Sequence, residues 1–156
     1  MSVRQAYRCT VAGEADIPFI AAVYEANIEA LHGTHRTAED WRALLADAGK
    51  RYFIVHGEEG PAAWFRIDGG GEAPELGMLQ VAPARQRQGV GRFVLRTVER
   101  MARESGAARV VIHTTQDNAP AAALYSAAGY ILTGTGPCTT ADGAERVGYT
   151  FEKEIQ

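Results

Sequence analysis

The chain has 156 residues, of which 46% are hydrophobic and 22% charged, and its formal net charge at pH 7 is -3. This composition is that of a folded globular chain, and no run approaches the roughly 18 apolar residues of a membrane span. The net charge argues against a partner bound through many phosphate contacts without excluding a local basic patch, and we expect no nucleic-acid or membrane partner. We expect a single cytoplasmic domain over residues 1–156, with Cys9 and Cys138 as reduced thiols and no metal site.

The first part of the chain predicts one strand and two helices. Residues 7–12 read as the strand, and Asp16 offers an N-cap for the first helix. Thr37 and Asp40 have the spacing of a capping box and begin the second helix. The helices end at Gly33 and Gly49, with apolar stripes at Ile17, Ile20, Tyr24, Ile28 and Leu31 and at Trp41, Leu44, Leu45 and Ala48.

Three strand-length runs follow, at residues 51–57, 61–68 and 74–81. The short segments between them, Glu58–Gly60 and Gly69–Gly71, have the composition of tight turns. This order predicts an antiparallel meander.

The clearest helix in the sequence is Val90–Glu104, in which apolar residues repeat with helical spacing. Glu99 and Arg103 lie four residues apart, and we place them on its solvent side. A glycine ends this helix, and the apolar run at residues 108–115 predicts a buried parallel strand reached by the helical crossover.

The end of the chain predicts one more helix, Ala119–Ala128, followed by an antiparallel pair at residues 130–134 and 146–155. The whole pattern is that of an α/β (α+β) protein with a mixed sheet of about seven strands and about four helices.

The joint before the long helix reads "ARQRQGVGR". The first turn of a helix has unpaired N–H groups and a positive dipole end, and Gly89 and Gly91 would let an anion approach them. The sequence lacks the third glycine of a dinucleotide fingerprint and the Gly-Lys-Ser/Thr ending of a P-loop. Taken alone, the joint is also compatible with an ordinary helix start with solvated arginines. Those arginines are Arg85, Arg87 and Arg92.

A second polar element, "NAPAAALYSAAGY", opens the last helix. Asn118 precedes the helix, and Tyr125 follows seven residues later on the same face. A half-buried tyrosine that packs on the sheet would give the same pattern.

With both elements present, the chain resembles the GNAT superfamily of acetyl-CoA-dependent N-acetyltransferases. Gln86, Gly89 and Gly91 match the family's Q/R-x-x-G-x-G/A motif, and the segment from Asn118 to Tyr130 is similar to its N-x-x-A-x-x-L-Y-x-x-x-G-F/Y segment. The order of the predicted helices and strands agrees with the GNAT fold, in which a central parallel pair splays apart.

The resemblance implies an acetyl-CoA site between the splayed strands. The pantetheine arm would pair with Leu79, Gln80 and Val81, and Asn118 would contact the cofactor from the other side. Gly77 is either a bulge that opens the gap or a point of close packing. The pyrophosphate would lie on the residues of the glycine turn: Gln86, Arg87, Gln88, Gly89, Val90, Gly91 and Arg92.

The chemistry of amine acetylation requires a base, because an amine with a pKa of roughly 10 is mostly protonated at neutral pH. The resemblance implies that Tyr125 is the acid that protonates the leaving thiolate, and that Glu75 is the base. Strand alternation places Glu75 on the same side as Leu79 and Val81. A solvated carboxylate at Glu75, with water or His35 as the base, remains an alternative.

The acceptor pocket is expected between the loop at residues 31–37 and a loop at residues 134–143. Its candidate residues are also compatible with exposed loop positions or, for the tryptophan, with core packing. His56 and His113 lie within strands, and we expect them to be structural. The candidates for acceptor binding are His32, His35, Arg36 and Trp64.

The leading hypothesis is an acyltransferase that acetylates a primary amine of a small or amino-acid-like molecule. A protein N-terminal or lysine acetyltransferase, a non-catalytic CoA-binding module and a domain that only imitates the motif are the alternatives. Relatives are often dimers, so a homodimer is a further expectation.

Overall fold

The computed structural model describes residues 6–69 and 72–155. These ranges contain seven strands and five α-helices. The strands are β1 Arg8–Val11, β2 Lys50–Gly57, β3 Gly60–Asp68, β4 Glu75–Val81, β5 Arg109–Thr115, β6 Ile131–Thr139 and β7 Glu145–Glu154. The helices are α1 Ile17–Ala26, α2 Ile28–Leu31, α3 Ala38–Ala46, α4 Val90–Glu104 and α5 Ala119–Ala127.

One mixed sheet with the order β1-β2-β3-β4-β5-β7-β6 forms the centre of the structure. All neighbouring strands are antiparallel except β4 and β5. This confirms the predicted meander and the predicted parallel strand after α4. The turn residues Gly70 and Gly71 lie outside the described ranges. No helix within those ranges is long and apolar enough to span a membrane.

Two hydrophobic cores lie on opposite faces of the sheet. The larger contains the inner residues of α4 together with Tyr125 of α5 and Leu76 of β4. The smaller lies under α1 and α3 and contains Trp41 and Trp64. A residue's core therefore identifies the face of the sheet to which its side chain belongs.

The single first helix expected up to Leu31 is wrong, because the chain breaks at Asn27 between α1 and α2. In the sequence, Asn27 lies within the predicted helical stripe, between Tyr24 and Ile28. In the structure its side-chain amide bonds to β4, and the chain then turns at His32, which has a left-handed φ of 52°. Asp16 is the N-cap residue of α1, as expected, but its side chain makes no hydrogen bond to the first turn of α1 and accepts from the Gly13 N–H instead.

The capping box of α3 is confirmed, since Asp40 N donates to Thr37 Oγ1 and Thr37 N donates to the Asp40 carboxylate. The helix ends at Ala46, earlier than the expected stop at Gly49.

The boundaries of α4 agree with the prediction, but the solvent-side position of Glu99 is wrong. Glu99 is only 8% exposed. Its carboxylate accepts from Lys153 Nζ at 2.9 Å and from the Tyr130 hydroxyl at 3.1 Å. The charge can be buried because both oxygens are satisfied by groups far away in the sequence.

The expected acceptor loop at residues 134–143 is also wrong, because β6 continues through Thr139. Its glycines and Pro137 resemble a loop in the sequence. Proline is nevertheless tolerated on an edge strand, and β6 forms the edge of this sheet. The actual loop is the short turn before β7.

Candidate active site

A cleft opens in the middle of the sheet, where β4 and β5 diverge. Their parallel register joins Glu75 to Val111 and Leu76 to Ile112 and does not continue beyond these pairs in the described chain. The resulting cavity has a volume of about 210 Å³. It is lined by residues 76–80 of β4, residues 113–115 of β5, Ala30 and Leu31 of α2, Asn118 and Tyr125.

The backbone of β4 offers hydrogen-bonding groups to this cleft. Ala82 N donates to Ala62 O on the β3 side. In an antiparallel pair the hydrogen-bonded positions alternate, so Gln80 also pairs with β3 while Leu79 and Val81 turn their N–H and C=O groups toward the gap. Leu79 and Val81 are thus the two predicted residues whose backbone faces the cleft.

One of these groups is already engaged within the protein. The Val81 carbonyl accepts from Asn27 Nδ2 at 3.1 Å and from Gln86 Nε2 at 3.3 Å. Asn27 Nδ2 also bonds to Gln80 Oε1 at 3.1 Å, and the Gln80 side chain is only 7% exposed. Side-chain amides therefore take the place of the missing β5 partner at Val81.

Gly77 is a β-bulge, because Arg66 of β3 pairs with Met78 whereas the next residue, Ile67, pairs with Leu76. A Cβ at Gly77 would collide with the ion-paired Arg66 and Asp68 side chains. The sequence alone is compatible with either a bulge or close packing at Gly77, and the register shows that it is a bulge.

The bulge overturns the expected orientation of Glu75. Leu76 and Leu79 both belong to the core beneath α4 and α5, although simple alternation would separate them. Glu75 therefore lies on the opposite face from Leu79, the face of the α1–α3 core that Met78 joins.

The glycine turn forms a second cavity, of about 510 Å³, between the start of α4 and α5. Gly89 is the N-cap of α4 with a φ of +82°, and no atom lies within 4 Å of where its Cβ would be. Arg87 also has a positive φ, of 62°. The space in front of the helix N-terminus is open, which fits a pyrophosphate group.

Some side chains around this turn are exposed, and others are buried or bonded within the protein. Arg87 and Arg92 are exposed, whereas Arg85 is paired with Glu59 at 3.1 Å. Val90 is buried in the core, so only its backbone can reach a ligand. Gln88 Nε2 donates to Ala84 O within the turn.

Tyr125 lies at the α5 side of the cleft and is 7% exposed. Its ring contacts those of Tyr130 and Phe151 at centroid distances of 6.4 and 5.7 Å. Burial raises the pKa of Tyr125 to about 12, so its hydroxyl keeps its proton at neutral pH. Asn118 caps α5, with its side-chain oxygen accepting from Ala121 N.

A third cavity, of about 490 Å³, adjoins the cleft on the Glu75 face and shares residues 113–115 with it. His113 faces both cavities. His113 Nε2 lies 3.4 Å from Glu75 Oε1, and Nδ1 lies 3.0 Å from Thr150 Oγ1. From the sequence we expect a structural role for His113. Its neighbours Glu75 and Thr150 are known only from the pairing of β5 with β4 and β7.

The four residues expected to bind the acceptor are not brought together. His32 bonds to Asp117 at 2.8 Å near the rim of the cleft. The His35 side chain is 86% exposed and bonds to Glu25. The Arg36 guanidinium lies over the rings of Tyr24 and Trp41, at 4.7 and 5.0 Å.

Trp64 has no exposed surface and packs against Trp41 and Tyr52. Its position is that of a core residue and not of a pocket wall. Across the described ranges, no group of three or more His, Cys, Asp or Glu side chains is arranged to hold a metal ion.

Comparison with known proteins gives three kinds of match. A model of the acetyltransferase (GNAT) family matches residues 20–130. Streptothricin acetyltransferase from Streptomyces lavendulae is 31% identical over 91 residues, which are 56% of this chain and 48% of that protein. The chain thus spans about half the length of this curated relative.

Solved structures share the fold over almost the whole chain. Spermidine N-acetyltransferase from Vibrio cholerae, in complex with CoA and spermine, matches with a TM-score of 0.82, 15% identity and coverage of 95% of both chains. The ribosomal-protein-S18-alanine N-acetyltransferase from Escherichia coli matches with a TM-score of 0.76, 20% identity and coverage of 97% of this chain and 95% of its own. These proteins and this chain therefore share one fold.

Proposed function

The chain belongs to the acetyltransferase (GNAT) family of acyltransferases, and from this premise we propose that it transfers an acetyl group from acetyl-CoA to a primary amine of a small or amino-acid-like molecule. The observation that carries the proposal is the divergence of β4 and β5 beyond Leu76. It creates a cleft with Tyr125 on one side and the open turn at Gly89 at its outer end. We treat residues 1–156 as one such domain.

The cofactor fits the groups that the chain offers. The pyrophosphate is assigned to the backbone N–H groups at the start of α4, where the dipole and two exposed arginines favour negative charge. The pantetheine arm is assigned to the N–H and C=O groups of Leu79 and the N–H of Val81. Gln80 and Gln86 take a supporting role, since their side chains bond to Asn27 and to Val81 O.

Acetyl-CoA supplies the acetyl group as a thioester, which an unprotonated amine can attack. A backbone N–H of β4 aimed at the thioester oxygen would stabilise the negative charge that develops there. Tyr125 lines the cleft and keeps its proton at neutral pH, so it is suited to donate a hydrogen bond to the departing sulfur. The raised pKa favours donation of this bond over complete transfer of the phenolic proton.

The acceptor is assigned to the cavity on the Glu75 face, which shares His113 with the cleft. Its walls include the glycines of β6 and β7, which leave space above the strands. We assign removal of the amine proton to the Glu75–His113 pair. The relative that acetylates streptothricin supports a small-molecule acceptor, although it shares only part of its length with this chain.

The test is release of free CoA thiol from acetyl-CoA in the presence of separate pools of small amines and of peptides, with the product identified by mass spectrometry. We expect turnover with small amines and loss of most of it in Tyr125→Phe. If only peptides are acetylated, the acceptor is an amine of a peptide or protein and not of a small molecule. Acetyl-CoA binding without turnover on any amine would contradict the enzymatic proposal.

A further inference from the structure

We infer that His113 is the group that accepts the proton of the acceptor amine, and that Glu75 and Thr150 hold it in the basic tautomer. The inference rests on the proposed function and assigns a role within its acceptor site. It begins from the position of His113 on β5, where the imidazole contacts one residue from each neighbouring strand.

The two contacts define the state of the ring. Glu75 Oε1 lies 3.4 Å from Nε2, at ion-pair distance, and the negative charge of the carboxylate favours a proton on that nitrogen. Nδ1 is then the unprotonated nitrogen and accepts from the Thr150 hydroxyl at 3.0 Å. The oxygen of Thr150 keeps a lone pair for an amine N–H, and Thr150 itself lines the acceptor cavity.

The location of His113 suits a base better than that of Glu75. His113 lines both the cleft and the acceptor cavity, whereas Glu75 lines neither. The imidazole is 52% exposed and the carboxylate 35% exposed, so the ring can return its proton to solvent. Histidine is also the side chain that ordinarily changes its charge between pH 5 and 8.

Other charged and titratable groups surround this face of the sheet, and most are already paired. Glu152 of β7 is paired with Arg109 of β5 at 3.2 Å. At the rim, Asp117 is paired with both His32 and Arg146. The remaining titratable neighbours are Cys138 of β6 and Tyr149 of β7, which line the acceptor cavity, and Tyr125 across the cleft.

The proton balance is simple. The acceptor reacts as the neutral amine, after its ammonium form has lost one proton to water. As the amine nitrogen forms its bond to the acetyl carbon, the carbon–sulfur bond breaks and the sulfur leaves as the CoA thiolate, which accepts a hydrogen bond from Tyr125. A second proton of the attacking nitrogen passes to Thr150 Oγ1, which passes its own proton to His113 Nδ1. The imidazolium is stabilised by the Glu75 carboxylate and then loses a proton to water. No oxidant or further reactant is needed.

The first test uses the protein without acetyl-CoA or acceptor. The ring nitrogens of His113 are observed by ¹⁵N NMR in wild type and in Glu75→Gln, at a pH at which the ring is neutral. We expect wild type to carry the proton on Nε2 and Glu75→Gln to gain a share of the Nδ1-protonated form, because the carboxylate that favours a proton on Nε2 is gone. Equal tautomer populations in the two proteins would overturn the role of Glu75.

The second test is the pH dependence of kcat/KM in wild type, His113→Gln, Glu75→Gln, Thr150→Val and Thr150→Ser. We expect the limb between about pH 5.5 and 8 to vanish in His113→Gln, to persist with a lower maximal rate in Glu75→Gln, and to persist in Thr150→Ser at a higher rate than in Thr150→Val. His56→Gln is the matched control, since His56 bonds to Thr10 on β1 and lies outside the cleft.

The outcomes separate this inference from the proposed function. If wild type turns over and the limb persists in His113→Gln, His113 is not the base, although the acetyltransferase proposal stands. If the limb disappears in Glu75→Gln and persists in His113→Gln, Glu75 itself is the base. If wild type neither binds nor uses acetyl-CoA, the proposed function fails first.

Discussion

The side-chain amide of Asn27 donates a hydrogen bond of 3.1 Å to the Val81 carbonyl, at the point where β4 has left β5. Asn27 also separates α1 from α2, so a single residue links these two helices to β4. The same amide holds Gln80 Oε1. This arrangement fixes the free end of β4 in the absence of a strand partner.

Replacement of Asn27 by leucine should therefore weaken acetyl-CoA binding. The two hydrogen bonds are present without the cofactor and are worth about 1 kcal/mol each, so we expect the free energy of unfolding to fall by about 2 kcal/mol. The dissociation constant should rise severalfold, because the released end of β4 must be ordered again on binding. Asn27→Asp keeps the size of the side chain but presents carboxylate oxygens to two acceptor oxygens, and it should be at least as damaging. Calorimetric titration gives the values, with the exposed Glu29→Gln on α2 as the control. Equal affinity of wild type and all three variants for acetyl-CoA would show that Asn27 does not support the cofactor site.

Tyr125 should make the fold sensitive to alkaline pH. Its pKa is about 12 in the folded protein against an ordinary value near 10, so the folded state holds the proton more tightly. The stability from this difference is present below about pH 10 and is lost as the pH rises from about 10 to 12, by up to about 3 kcal/mol.

Urea unfolding at about pH 8 and about pH 10.5 measures this effect. Wild type should lose more stability than Tyr125→Phe over that interval, since phenylalanine has no proton to lose. A parallel decline of the two proteins would show that the Tyr125 hydroxyl is solvated in the folded state.

The partly buried Glu99–Lys153 pair should stabilise the junction of α4, α5 and β7. Lys153 Nζ bonds to Glu99 and to Ala128 O at the end of α5, both at 2.9 Å. Lys153→Met leaves a buried carboxylate without its cation, and we expect a loss of about 3 kcal/mol in the free energy of unfolding. The double variant Glu99→Leu/Lys153→Met should recover much of this loss.

The exposed pair Arg100–Glu104, at 3.9 Å, offers the control for that measurement. Arg100→Gln should change the free energy of unfolding by less than about 0.5 kcal/mol. If Lys153→Met is no more costly than Arg100→Gln, the Glu99 carboxylate is reached by water or protonated.

Local patterns predicted the elements whose signals lie close together in the sequence. The capping box of Thr37 and Asp40 was visible because its partners are three residues apart, and α4 was visible because its apolar stripe is long. The glycine turn before α4 was readable in part. The helix N-terminus and the open position of Gly89 are local features, whereas a Cβ at Gly91 would collide with Leu124 of α5, a contact that no local pattern shows.

The features missed depend on contacts between distant segments. Asn27 reads as a helical residue until β4 supplies acceptors for its amide, and Glu99 reads as a surface residue until Lys153 and Tyr130 reach it. The bulge at Gly77 reversed the face of Glu75, because register is set by pairing with β3. His113 could be given neighbours only once the strand order was known.

The most direct measurement of the central claim is thermal unfolding with and without acetyl-CoA for wild type, Gly89→Trp and Gly106→Trp. The two glycines flank α4, have φ angles of +82° and +81°, and have no atom within 4 Å of the point that a Cβ would occupy. The two substitutions therefore impose the same backbone strain, but only the one at Gly89 fills the turn that would hold the pyrophosphate.

Acetyl-CoA at about 100 times its dissociation constant should stabilise wild type and Gly106→Trp by about 2.7 kcal/mol and leave Gly89→Trp unchanged. Equal stabilisation of all three proteins, or no stabilisation of wild type at millimolar acetyl-CoA, would contradict the proposed cofactor site.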